Sequence, residues 1–329
     1  MRALLPSPEG PVLMDVPRPR PSAEEVLVRV RASALNRADL AMLTGASHGG
    51  AGGGGRPLGL EWAGEVIEAG AEVQRWKVGD RVMASGGGAF AEYAVGHDRR
   101  MYAIPEGLGF EQAAGLPVAL QTMHDAIATN GKLQPGQSVL ILGASSGVGL
   151  MGLQVAKTLG AGLVIGTSTS PDKRVRLADF GADLAVDTRS PDWVTQVLEA
   201  TGGHGVDLVI DQLAGPLIRG TFKATRIGGR VVNVGRLAGL RGEFDFDLHA
   251  LRRIDYVGVT FRTRSAAQVE TITALTAEAL GPALAAGRLR LPVDQVAPLE
   301  EGPAALRGMA DDVHFGKIVL TPGSEEQDD

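Results

Sequence analysis

The sequence contains no cysteine. Disulfides, thiolate metal sites and a cysteine nucleophile are therefore excluded. Its six histidines, at 48, 97, 124, 204, 249 and 314, are scattered, with no HExxH and no close pair. A zinc site built from histidine and carboxylates alone thus has no spacing to support it. No run of eighteen apolar residues occurs, so no membrane-spanning helix is expected. The opening MRALLPSPEG has too short an apolar segment for a signal peptide, and the cytoplasm is the expected location. An excess of basic residues is also missing: 32 Lys and Arg stand against 38 Asp and Glu, for a net charge of −6. That balance does not favour a nucleic-acid surface. What remains is 329 residues with 44% hydrophobic and 21% charged composition, an ordinary globular chain long enough for two domains.

The stretch Ser138 to Gly149, SVLILGASSGVG, organises the rest. Val139-Leu140-Ile141-Leu142 is an unbroken apolar run, as in a strand buried on both faces. A glycine turn follows, and then Val148, Met151, Val155 and Leu159 recur at helical spacing. Strand, glycine turn and helix together point backbone N–H groups and a positive dipole end at a phosphate. The glycines fall as G-x-x-x-G-x-G rather than GxGxxG, which on its own also fits a plain tight connection. Leu163-Val164-Ile165 then closes a β-α-β unit of about thirty residues, the length a dinucleotide unit requires.

Residues 1–105 read as mostly β. Strands are expected at Val26–Ala32, within Leu58–Ala69, after the Val78–Val82 turn, and at Ala89–Val95. Residues 45–55, GASHGGAGGGG, carry seven glycines and read as a surface loop or a flap over a cleft. Leu116–Asn130 has one apolar helical face. Strands at Leu163–Ile165, Leu184–Val186, Val206–Ile210 and Arg230–Val234 then alternate with helices near 149–159, 172–180, 191–200 and 215–226. Repeated βα units predict a parallel sheet covered on both faces. Ile254–Phe261 reads as one more strand, apolar enough to be a covered edge, and hence as a homodimer seam. Helix 266–286, a closing strand at Gly316–Leu320 and an acidic tail, SEEQDD, complete the chain. The expected fold is α/β: a Rossmann-type doubly wound domain, 121–262, inserted into a β-rich barrel domain, 1–120 and 263–329. The ligand site expected of such a chain is the cleft between domains.

Both parts together resemble the medium-chain dehydrogenase/reductase superfamily, in its zinc-free quinone oxidoreductase branch. The β-rich part is then GroES-like. The strings that carry the resemblance run the whole length: Ala34–Asp39, Leu58–Gly64, Val78–Val82, Ile104–Gly107, Leu116–Ala119, the glycine turn, Gly229–Gly235 and His314–Leu320. Zinc-dependent members place Cys where Asn36 stands and His where Leu60 stands. The resemblance therefore implies that no Lewis acid polarises an alcohol, and that hydride passes to an acceptor that is already electrophilic: a quinone, an enone or a related double bond. It further implies that Ser146, Gly147 and Val148 face a pyrophosphate. Thr122, Val234, Gly235, Phe261, Arg262, Phe315, Gly316 and Lys317 would lie near the nicotinamide. Asn36 would sit at the former metal position, or serve only as a buried amide stapling a loop. His124, where relatives often carry Tyr, would donate a proton, or be a helix residue with a local bond. Arg262 and Arg264 hold an anionic group or make surface pairs.

The second strand distinguishes the cofactor. An NAD site usually ends that strand in Asp or Glu, which bonds the ribose hydroxyls. Here it ends Ile165-Gly166-Thr167-Ser168, and Lys173-Arg174 follow. A hydroxyl and a cation bind a 2′-phosphate that a carboxylate would repel. NADPH is therefore the expected cofactor, with Ser168 and Lys173 on the phosphate. Relatives often place an aromatic residue or His near that phosphate where Thr188 stands, and the resemblance implies Arg189 as its substitute. The bland alternative is that Lys173 and Arg174 are solvated helix residues. Other function classes stay open: an enone or enoyl-thioester reductase, and a non-catalytic NADPH-binding protein.

Overall fold

The computed structural model describes residues 1–43 and 55–323. All of the glycine-rich segment but Gly55 lies outside them, as does the acidic SEEQDD tail. The chain divides into two compact units, one of residues Met1–Val118, Phe261–Ala285 and Arg290–Asp329, the other of Ala119–Thr260 and Ala286–Leu289.

The first unit begins with an antiparallel pair, β1 (Arg2–Leu5) and β2 (Val12–Asp15). It continues through β3 (Glu25–Ala34), α1 (Arg37–Met42), β4 (Glu61–Ala69), β5 (Arg81–Ser85), β6 (Tyr93–His97), β7 (Met101–Ala103) and α2 (Phe110–Ala114). Apolar and polar residues alternate through part of β3, and Val26, Val28 and Val30 are buried beside Trp62, Val82 and Phe90 in the main core. The register of β3 against β4 slips twice, between Leu27 and Val28 and between Val30 and Ala32. Such bulges bend a strand. One edge of β3 accordingly pairs with β6 over its first half, Glu25 to Arg29, and with a late strand at Ser33 and Ala34.

The chain passes along α3 (Pro117–His124) into a π-helical turn, Asp125–Asn130. The second unit then alternates regularly: β8 (Ser138–Leu142), α4 (Gly147–Thr158), β9 (Leu163–Thr167), α5 (Pro171–Val175), β10 (Leu184–Val186), α6 (Trp193–Ala200), β11 (Val206–Asp211), α7 (Ile218–Ala224), β12 (Thr225–Asn233), α8 (Phe246–Arg252) and β13 (Asp255–Gly258). All six strands are parallel, in the order β10-β9-β8-β11-β12-β13. That is the doubly wound order with its crossover between β8 and β11. Val139 to Leu142 are fully buried, as a strand covered on both faces requires. The chain returns to the first unit through α9 (Ala266–Ala285), β14 (Val293–Pro298), α10 (Gly302–Ala310) and β15 (Lys317–Thr321). These last strands extend the larger sheet to the order β14-β15-β3-β4-β5-β7.

The expected α/β architecture is thus present, and three local expectations need correction. The strand expected at Ala89–Val95 starts only at Tyr93. Residues 89–91 are buried but touch their neighbours one backbone bond at a time, such as Phe90 N to Leu58 O at 2.8 Å. The strand expected over Ile254–Phe261 is only Asp255–Gly258. Tyr256 on it is exposed, and among the described residues β13 pairs with β12 alone. The single helix expected over Leu116–Asn130 changes to π geometry after His124, where Gly131 N reaches back five residues to Ala126 O.

Candidate cofactor and active site

In the second unit the turn after β8 is held from both sides. Gly143 N donates to Thr167 Oγ1 at 3.0 Å and Ala144 N to Thr167 O at 2.9 Å, which tie the turn to the end of β9. Ser146 caps α4: its Oγ accepts from Gly149 N at 3.0 Å. The amides of Gly147 and Val148, first in the helix, then have no acceptor within it. Gly143 takes a left-handed φ of +75°, which lets the chain reverse. A Cβ on Gly149 would lie 2.4 Å from Gly143 O, so the turn closes this tightly only with glycine there. Free amides, a positive dipole end and a tight backbone fit a pyrophosphate. Gly149→Ala is expected to open the turn, raising the Kd for a dinucleotide at least about tenfold, as calorimetric titration would read.

The end of β9 carries hydroxyls and guanidinium groups. Ser168, 6% exposed, donates to Ser145 Oγ at 3.0 Å. Arg174 Nη1 donates to Ser168 O at 2.9 Å and to Asp187 Oδ2 at 3.2 Å. Arg189 grips the same carboxylate through Nε at 3.2 Å and Nη2 at 2.9 Å, and also bonds Thr169 O. The Arg189 side chain, with Arg174 behind it, pulls the Asp187 carboxyl down to about 2. One carboxylate thus faces two arginines, with half-buried Lys173 one residue before Arg174. The sequence points to Ser168 and Lys173, with Arg189 as a further cation. The engagement of Arg174, and the Asp187 that orders both arginines, escaped it, because Asp187 follows the third strand and meets Arg174 only in space.

The first unit holds a buried polar cluster. Asn36 lies at the N-terminus of α1, and its backbone N–H donates to Asp39 Oδ2 at 2.6 Å. Its side-chain Nδ2 donates to Glu61 Oε1 at 3.0 Å, and its Oδ1 accepts from Lys317 Nζ at 2.9 Å. Lys317 Nζ also lies 2.6 Å from Glu61 Oε1. The other carboxylate oxygen, Oε2, accepts from Val118 N in the first turn of α3 at 2.9 Å. Lys317 is 4% exposed and Glu61 and Asp39 are fully buried. Asp39 Oδ1 has no partner, and burial pushes the Asp39 carboxyl up to about 8, with the Asn36 amide opposing. Both ends of the Asn36 amide are engaged, as are two of the three Lys317 N–H directions.

His124, at the end of α3, is buried, and its Nδ1 has no hydrogen-bond partner. Burial lowers its pKa, so the imidazole is neutral at pH 7. A neutral ring keeps one N–H to give. Thr122, two residues earlier, is half-buried.

Two family models match the chain: the alcohol dehydrogenase GroES-like domain over residues 22–106, and the zinc-binding dehydrogenase over residues 147–278. A probable oxidoreductase from Mycobacterium abscessus shares 30% identity, covers 98% of this chain and 99% of its own, and superposes with a TM-score of 0.83. The quinone oxidoreductase of Pseudomonas syringae pv. Tomato DC3000 shares 28%, covers 98% and 99%, and gives a TM-score of 0.85. The chain belongs to the medium-chain dehydrogenase/reductase superfamily, in its zinc-free, quinone-oxidoreductase-like branch. A third relative, the phenolphthiocerol synthesis polyketide synthase Pks15/1 of Mycobacterium marinum, is 33% identical over 304 residues. That match takes in 91% of this chain but 14% of the synthase.

As a member of this superfamily the protein is an oxidoreductase whose fold binds a nicotinamide cofactor. Among its described residues no group of three His, Asp or Glu side chains is placed to hold a metal. Asn36 and Glu61 instead hold the Lys317 ammonium. The remaining residues expected near a nicotinamide fall in both units. Val234 and Gly235 follow β12, and both their amides donate to Asp211 O, at 2.7 and 3.2 Å. Phe261 is half-buried and Arg262 exposed, ahead of α9. Phe315 is buried, and its N–H donates to Asp294 Oδ1 at 3.1 Å. Gly316 has φ +105°, and a Cβ there would meet Pro292 O at 2.2 Å. Its glycine is thus required by packing before β15, whatever else it touches. Glu61 and Asp39 were not singled out as site residues. A lone acid in an apolar run such as GLEWAG was the available signal.

Proposed function

We propose that this oxidoreductase uses NADPH and passes hydride to a quinone or similarly activated double bond. The end of β9 carries the proposal: buried Ser168 in place of an acid, Arg174 and Arg189 on a single carboxylate, and Lys173 one residue before Arg174. A 2′-phosphate would find charge-assisted donors there. A bound NADPH supplies the hydride. The chain's own part is to seat the pyrophosphate on the Gly147 and Val148 amides, with Ser146 fixing the turn. Thr122, Val234, Gly235, Phe261, Arg262, Phe315, Gly316 and Lys317 line the nicotinamide end on this proposal. Asn36 and His124 are its polar groups toward the acceptor: the neutral His124 N–H can donate a hydrogen bond to the acceptor oxygen, and the proton that completes the reduction comes from solvent. Cytoplasmic location, and a homodimer formed through the open edge of β13, complete the proposal.

Lys173→Ala is expected to raise the KM for NADPH at least about tenfold while leaving that for NADH nearly unchanged. Equal effects on both would defeat the phosphate assignment. Similarity to a polyketide synthase favours a second acceptor class, an enoyl thioester. Following loss of the reduced-nicotinamide absorbance across quinones, simple enones and an enoyl thioester separates the two. Tight NADPH binding with no turnover of any of them would leave a binding protein.

A further inference from the structure

The second unit contains a cavity of about 160 Å³ beside the carboxyl ends of β11 and β12 and Tyr256 of β13. It shares no lining residue with the glycine turn or with the β9 end. Its walls come from the segment after β11, at Ala214, Gly215 and Ile218, and from the loop between β12 and α8. The two segments meet backbone to backbone: a Cβ on Gly242 would lie 2.2 Å from Gly215 O. Ala214 holds a positive φ of 54° with an alanine side chain, a strained conformation. Strain kept by close packing is found where geometry serves a site.

Three features define what fits. The lining carries apolar side chains, Ile218, Leu240 and Phe244, the last edge-on to Phe222 at 5.2 Å. Two guanidinium groups, Arg236 and Arg241, stand on the lining, and Arg241 has no ion-pair partner among the described residues. Neutral donors also stand on the lining: the Tyr256 hydroxyl and the Asn233 amide, which already bonds Gly235 O at 3.0 Å. Behind Asn233 the Asp211 carboxylate is fully buried. Its Oδ1 accepts from Leu213 N and Ala214 N, both at 2.9 Å, and Oδ2 has no partner. Burial raises the Asp211 pKa, and the Ala214 and Leu213 N–H groups oppose that shift.

We propose that this cavity is a ligand site of the second unit, and that it takes a small organic carboxylate with a flat apolar body. The volume is close to that of a cavity which accepts a benzene ring, about 150 Å³. A guanidinium on the lining, such as that of Arg241, can hold a carboxylate through two parallel N–H donors.

Benzoate, titrated into the full chain and followed by amide chemical shifts, tests this. Saturable shifts are expected at Ala214, Gly215 and Asn233, with saturating NADPH present or absent. Benzyl alcohol, its neutral counterpart, should bind at least about tenfold more weakly. Arg241→Met, on an exposed position, should weaken benzoate roughly tenfold and leave benzyl alcohol unchanged. The proposal falls if benzoate gives no saturable shift by about 50 mM, a weak limit even for a ligand of this size. It also falls if the acid and the alcohol bind alike, or if Arg241→Met changes neither. None of these outcomes depends on turnover, so they bear on the cavity and not on the proposed hydride transfer.

Discussion

Lys317→Met is expected to destabilise the protein by about 3–5 kcal/mol. The Lys317 ammonium and the Glu61 carboxylate lie 2.6 Å apart with almost no solvent access. Taking away the cation leaves an unpaired charge in a low-dielectric interior, which costs far more than the pair itself contributes. Asn36 Nδ2 and Val118 N would still donate to Glu61, but neither carries a charge. Thermal unfolding should show the loss as a Tm lower by on the order of 10 °C. Removing the anion as well, in Lys317→Met with Glu61→Gln, should recover at least half of the deficit, because the amide keeps an acceptor for Val118 N and buries no charge. A single variant no less stable than wild type would mean that water reaches the pair.

Asp39→Asn should change stability with pH and in one direction. The folded carboxyl is pushed up to about 8, against an ordinary value of 3.8. Between those limits the folded chain holds a proton that the unfolded chain has released. Stability from this group is therefore complete below about pH 4, falls as pH rises, and is gone by about pH 8. Asparagine mimics the protonated acid and does not titrate. The variant should match wild type near pH 4 and exceed it at pH 8 by several kcal/mol, on the order of 5 at most. Denaturant unfolding at a series of pH values checks this. Parallel profiles for the two proteins would show that Asp39 ionises freely in the folded chain.

Much of the fold was legible because its signals are local. The run Val139–Leu142, the glycines after it and the helical spacing of Val148, Met151 and Val155 lie within twenty residues, and each reports its own conformation. The βα alternation is likewise a matter of neighbours, which placed the strands at 163, 184, 206 and 230 to within a few positions of where they occur. The first unit is different. Its β14 and β15 lie far along the chain from β3, and β1, β2, β7, β14 and the short helices α1, α2 and α10 were not foreseen. Val12–Asp15 on β2 is largely exposed and has no period that stands out. Strand pairing across some 290 residues leaves no trace in either segment alone.

The candidate site divides the same way. The Ser146 cap and the missing acid after β9 are properties of contiguous residues, and both could be read directly. The cluster of Asn36, Asp39, Glu61 and Lys317 joins four segments of the chain. Nothing in a sequence states that Lys317 and Glu61 meet, or that Arg174 and Arg189 share Asp187. Burial supplies what spacing lacks, since it decides which charged groups must pair and which carboxyl keeps its proton.

The unmodified protein's ranking of two reduced nucleotides tests the phosphate site most directly. Titrating NADPH and NADH separately, with the nucleotide's own fluorescence as the signal, measures both dissociation constants under one buffer. NADPH is expected to bind tighter by on the order of 10- to 100-fold, and added salt should narrow the gap, because ion pairs at the β9 end make the difference. Equal affinities, or tighter binding of NADH, would contradict the placement of a phosphate among Ser168, Lys173, Arg174 and Arg189.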